Sequence, residues 1–116
     1  MGPGGRYPHM GYSTHAMSTL PLDRYVVDVL MPDLVGHDRS PSAFIVYVYL
    51  WRASASRGRV QVSYATMAAD TGLSKAGAQR AVALLKRRRL VTMAKLTATS
   101  VPEYRVARPW VGRIPG

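Results

Sequence analysis

Two serines eleven residues apart, each opening a helix-forming stretch, with a glycine between them, constrain this chain more than any other feature. Ser63 can accept a hydrogen bond from a backbone N–H at the start of a brief helix, Tyr64 to Thr71. Gly72 can end that helix, because residues with a β-carbon resist the left-handed backbone of a helix stop. Ser74 then caps a second helix, expected over residues 74–88. The two helices must meet across a tight turn at Thr71-Gly72-Leu73. Ala68 is small enough for the second helix to cross the first closely, and Leu73 can plug the angle between them.

The second helix has two unlike faces. At about 100° per residue, taking Lys75 as zero, Ala78, Ala81, Val82 and Leu85 fall between roughly 240° and 340°. Lys75, Ala76, Gln79, Arg80, Ala83, Lys86 and Arg87 fall between roughly 0° and 140°, a side with no bulky apolar residue. Arg89 would fall near 320°, on the core side, so the helix should stop at about Arg88. Gly77 within the helix costs about 1 kcal/mol against alanine; it either allows close approach of a neighbouring helix or of a partner's backbone, or is a neutral accident.

Charge is distributed unevenly. Sixteen Lys and Arg oppose six Asp and Glu, for a net +10. Residues 1–38 hold two Arg and four Asp, a net of −2, whereas residues 39–116 hold fourteen cations against Asp70 and Glu103, a net of +12. Such an imbalance carries a self-repulsion cost, and a polyanionic partner is the usual reason for it. Cations at a helix C-terminus such as Lys86-Arg87-Arg88-Arg89 also suit the helix dipole. Ordinary surface helices nonetheless mix signs through i,i+4 pairs, and no acidic residue lies between Asp70 and Glu103.

The remaining chain reads as one domain with flanks. Residues 1–19 are rich in Gly, Pro, Ser and His without periodicity, and are expected to be a disordered tail in which Met17 is a candidate translation start. Residues 20–39 form an N-terminal extension: Tyr25-Val26-Val27-Asp28-Val29-Leu30 suits a short strand, and Pro32 suits the first position of a short helix carrying Leu34 and Val35. Ser40-Pro41 is a cap followed by proline at the first helical position, predicting a helix that ends near Ala55, stopped by Ser56-Arg57-Gly58. Its stretch Ala43 to Trp51 is apolar nearly all round, either as central core or partly as the contact of a homodimer. Arg59-Val60-Gln61-Val62 alternates like a small edge strand, and Leu90 to Leu96 with Glu103 to Val106 should pair as a hairpin. In the tail, residues 107–116, Trp110 can fold back on the core.

Ala68-xxx-Gly72-Leu73-Ser74 followed by Ala78, Ala81 and Val82 resembles the helix-turn-helix pattern, whose second helix reads DNA. Helix, short strand, two helices and a hairpin over residues 40–106 resemble the winged helix family, close to bacterial helix-turn-helix proteins with a Ser-Pro-Ser-Ala start, here Ser40-Pro41-Ser42-Ala43. The resemblance implies an α+β, mainly helical fold: a winged helix-turn-helix with three core helices and a small β-hairpin wing. It implies double-stranded DNA as partner and a hairpin laid along the phosphate backbone or minor groove. Gln79 and Arg80 could pair with adenine and guanine, and Ser74 and Lys75 could meet bases or phosphate. Lys86, Arg87 and Arg88 would hold phosphates, with Ala76 and Ala83 on the same open side. On the wing, Lys95, Thr97, Thr99 and Arg105 are the matching candidates, although the loop is less basic than many wings.

Other classes fit poorly. The absence of cysteine excludes disulfides and thiolate chemistry, and the longest apolar run is far short of the roughly 20 residues a membrane helix needs. His9, His15 and His37 lie outside the core segment, and Asp70 and Glu103 are too isolated for a carboxylate pair, so neither a metal, a cofactor nor an enzyme is expected. A cytoplasmic, nucleoid-associated transcriptional regulator is the expectation. A plasmid or phage replication or partition protein, or a winged-helix protein-interaction module, are the alternatives. RNA binding is disfavoured by the lack of aromatic residues on the basic helix.

Overall fold

Four helices and three short strands make up the computed structural model, which describes residues 18–112. The helices are α1 (two π-helical runs, Val26–Leu30 and Pro32–His37, joined through Met31), α2 (Pro41–Ala53), α3 (Tyr64–Thr71) and α4 (Lys75–Arg87). The strands are β1 (Val60–Gln61), β2 (Val91–Ala94) and β3 (Glu103–Val106). The expected disorder of residues 1–19 and the candidate start at Met17 fall almost wholly on residues 1–17, outside the described residues.

Each of the long helices starts where a serine can satisfy an orphan donor. Ser40 Oγ accepts the Ala43 N–H at 3.2 Å, and Pro41 occupies the first turn, where its missing N–H costs nothing. Helix α2 ends at Ala53, slightly before the expected Ala55, because Ser54 leaves helical geometry while its hydroxyl donates to the Leu50 carbonyl at 2.6 Å. The faces of α2 are mostly consumed by the core: Ala43, Val46, Tyr47 and Leu50 are buried, whereas Ile45 stays open.

Helix α1 corrects the strand expected over Tyr25 to Leu30. A run of β-branched residues favours extended backbone, yet Val26, Leu30 and Leu34 recur every four residues and are all buried. That spacing suits a wide helical turn, closed by the Met31 N–H on the Val26 carbonyl and by the Asp38 N–H on Asp33 at 2.9 Å. Pro32 has no N–H to give and sits where the second run begins, as a continuation of the helix rather than the start of a separate one.

The strands form one antiparallel sheet in the order β1-β3-β2. Val91 faces Val106 and Met93 faces Tyr104 across the hairpin, while Val60 faces Tyr104 on the other edge. Beneath the sheet a single cluster joins Leu34 of α1, Leu50 of α2, Met67 of α3, Leu85 of α4, Val91 and Tyr104. Each such side chain contributes about 1.5–3 kcal/mol by leaving water. Tyr47 ties α2 to the end of β3, its hydroxyl donating to the Ala107 carbonyl at 2.9 Å, and burial keeps that hydroxyl protonated by raising its pKa well above the ordinary value. Trp110 folds back as expected: it stacks on Tyr25 with ring centroids 4.5 Å apart, and its indole N–H donates to Asp23 at 2.9 Å. Among the described residues no helix is long and apolar enough to cross a membrane.

Candidate nucleic-acid interface

The turn between α3 and α4 is built by three short-range devices. Ser63 Oγ accepts the Thr66 N–H at 3.1 Å, and α3 runs from there to Thr71. Gly72 follows with φ +82°, its N–H closing on the Ala68 carbonyl at 2.9 Å. Ser74 Oγ then accepts the Gly77 N–H at 2.9 Å to open α4. Leu73, half-buried against the core, fills the angle as its position suggested.

The buried and open faces of α4 divide as the helical wheel predicts. Ala78, Ala81, Val82 and Leu85 are essentially inaccessible. Lys75, Ala76, Gln79, Arg80, Ala83, Lys86 and Arg87 are all exposed. Gly77 is buried, but no neighbouring helix approaches it. A β-carbon there would meet Ser74 Oγ at 3.0 Å, so the glycine makes room for the cap, a local reason distinct from the approach of a neighbouring helix. The helix stops where the wheel says it must: Arg88 caps it, and Arg89 turns left-handed at φ +58° and points into solvent. The Leu90 N–H reaches back to the Leu85 carbonyl at 2.9 Å, which satisfies an orphan acceptor and buries both leucines.

Arg88 is the one proposed phosphate contact to which the structure gives other work. Its guanidinium bridges the carboxylates of Asp33 and Asp38, on α1 and its C-terminal cap, and it lies near 220° on the wheel, away from the open side. Hydrogen bonding to Asp33 first, and the charge of both carboxylates, raise the pKa of Arg88 further. Reciprocally, the hydrogen bond with His37 first, then the nearby Arg88, hold the Asp38 carboxyl below its ordinary value against the opposing effect of burial.

Three of the other acidic groups are engaged elsewhere too. Asp23 pairs with Arg108 at 2.9 Å, Glu103 lies 3.8 Å from Arg59 and 3.6 Å from Arg105, and Asp70 accepts the Tyr49 hydroxyl at 2.7 Å. Asp28 is exposed on α1. Among the described residues, no carboxylate pairs with Lys75, Arg80, Lys86 or Arg87. The candidates on the wing, Lys95, Thr97, Thr99 and Arg105, are exposed, with Arg105 loosely held by Glu103. A feature of the wing that the sequence reading passed over is Leu96, at its tip and open to solvent.

Three helices, α2, α3 and α4, with the hairpin β2–β3 as wing and β1 at the far edge of its sheet, make this an α+β winged helix-turn-helix fold. Residues 40–91 match the family described as Helix-turn-helix domain, a stretch running from the cap of α2 to the first residue of β2. Over that stretch the chain is similar to a helix-turn-helix domain, in agreement with the fold. No curated protein and no solved structure matches the chain.

Proposed function

We propose that this protein is a sequence-specific regulator of transcription that reads double-stranded DNA in the major groove with residues 74–88. The observation that carries the reading is the open face of α4, which presents Lys75, Arg80, Lys86 and Arg87 without an acidic partner among the described residues, while Ala78, Ala81, Val82 and Leu85 are turned inward. Gln79 and Arg80, mid-helix and exposed, are the base readers: each offers two hydrogen bonds to one base edge, glutamine to adenine and arginine to guanine. Ala76 and Ala83 keep the surface low enough for close approach. Lys86 and Arg87 hold phosphates, and Lys75 supports the helix N-terminus against the backbone. Residues 40–106 are the DNA-binding domain, and residues 20–39 brace it through α1.

Enrichment of bound sequences from a random duplex library tests this directly. The wild-type protein is expected to select a consensus, and Arg80→Ala or Gln79→Ala to relax it at one base pair each, costing about 1–3 kcal/mol there. Tight binding without any consensus contradicts a sequence-reading regulator, and selective capture of an acidic protein with no duplex bound favours the interaction module.

A further inference from the structure

The wing carries the most exposed of the large apolar side chains among the described residues. Leu96 is 95% accessible, whereas the other open ones lie between 36% and 53%. A partly open leucine is ordinary on a protein surface, but near-full exposure at the tip of a hairpin forgoes all the stabilisation that burial would contribute.

Hydrogen bonds fix the loop on the far side of Leu96. The Thr97 N–H donates to Ser100 Oγ at 3.0 Å, the Ser100 N–H returns to the Thr97 carbonyl at 3.2 Å, and the two hydroxyls meet at 2.8 Å. These bonds fasten the turn immediately after Leu96. The returning limb is moored as well, through the Val62 N–H on the Pro102 carbonyl at 3.1 Å and Gln61 Nε2 on the Val101 carbonyl at 3.2 Å. Gln61 and Val62 directly precede Ser63, the cap of α3, so the wing is anchored to the unit that presents α4. The loop from Leu96 to Pro102 contains no charged residue, so it brings no cation of its own to a phosphate. Lys95, exposed beside Leu96, supplies one cation to steer the tip toward a polyanion.

We propose that Leu96 is an apolar wedge that enters the minor groove next to the segment contacted by α4, opens a base step and bends the bound DNA. The proposal rests on the DNA-binding reading above. Apolar side chains on a positioned scaffold act in this way by partly unstacking a step, and the hydroxyls of Thr97 and Thr99 can meet groove-edge acceptors once the tip is inserted.

The test uses a short duplex enriched by the wild-type protein and labelled at its ends with a fluorescence donor and acceptor. Binding is read from anisotropy, and bending from energy transfer on the same sample. Wild-type protein is expected to bring the ends together by a bend in the ~20–90° range of such wedges. Leu96→Ala should bind with an unchanged salt dependence and leave the duplex nearly straight, and Leu96→Met should retain the bend. Leu96 is 95% accessible, so the thermal unfolding of these variants should match wild type. A straight duplex under bound wild-type protein, or equal bending by Leu96→Ala, overturns the wedge while leaving DNA binding by α4 intact. Absence of duplex binding in the anisotropy channel overturns both, and the tip then serves a different partner.

Discussion

Helices α1 and α4 both finish with an arginine in the left-handed region, Arg39 at φ +54° and Arg89 at φ +58°, yet their charges meet opposite fates. The acidic groups of α1 and its cap are turned into the structure, Asp33 and Asp38 onto Arg88 and Asp38 also onto His37 at 3.0 Å. The cations on the open side of α4 meet no carboxylate among the described residues. Both helices bury a regular apolar stripe, Val26-Leu30-Leu34 in one and Ala78-Ala81-Val82-Leu85 in the other. Packing therefore explains the inward face of each helix equally well. Pairing explains Asp33 and Asp38 at the end of α1, while Asp28 stays exposed. Among the described residues no carboxylate accounts for those of α4; the helix dipole suits Lys86 and Arg87 in the last turn but not Lys75 or Arg80, and a polyanionic partner would offset the repulsion of all four.

The sharpest break of this comparison comes from neighbouring residues on α4. Leu85→Ala should lower stability by about 2–5 kcal/mol in urea or thermal unfolding, since it leaves a cavity in the shared core. A loss under about 1 kcal/mol would mean that the inward face is loosely packed and that the division between faces is overstated.

Next in size is the turn itself. Gly72→Ala places a β-carbon at φ +82° and should cost about 1–2 kcal/mol, although the added atom meets nothing within 4 Å. The penalty is therefore conformational, and Gly72→Asn should recover part of it.

The paired charges of α1 give a smaller, pH-dependent effect. Asp38 has its folded pKa lowered from 3.8, so its contribution is fully present above that value and is lost as pH falls through the lower folded value. Asp38→Asn should remove this acid limb and leave stability near neutral pH reduced. Arg88→Ala should cost about 1–2 kcal/mol, between an exposed pair and a buried network, because the guanidinium is only partly shielded from water. Unfolding followed between pH 2 and pH 7, a range that brackets the ordinary carboxylate pKa values, checks both.

Much of the helix-turn-helix was legible because its signals are local. Ser40, Ser63 and Ser74 each cap within three residues, Gly72 needs only its own backbone angle, and the α4 faces follow from a fixed rotation per residue. The features that escaped depend on distant partners. Val26, Val27 and Val29 favour a strand until the core contacts of Val26, Leu30 and Leu34 decide otherwise. Arg88 reads as one more cation in a basic run, since its carboxylates lie 50 and 55 residues upstream. Its wheel position near 220°, off the open face, was the available hint. Leu96 looked like the end of an ordinary strand residue pattern, and only the hydroxyl-bonded turn beyond it shows how far it stands out.

The central claim is tested most directly by the salt dependence of duplex binding for wild type, Lys86→Ala and Arg88→Ala. Wild-type affinity should fall steeply as salt rises, Lys86→Ala should flatten the logarithmic slope by about one unit while changing stability by less than about 0.5 kcal/mol, and Arg88→Ala should leave the slope unchanged. A slope that responds to Arg88 and ignores Lys86, or duplex binding insensitive to salt, would contradict the assignment of the open face of α4 to DNA.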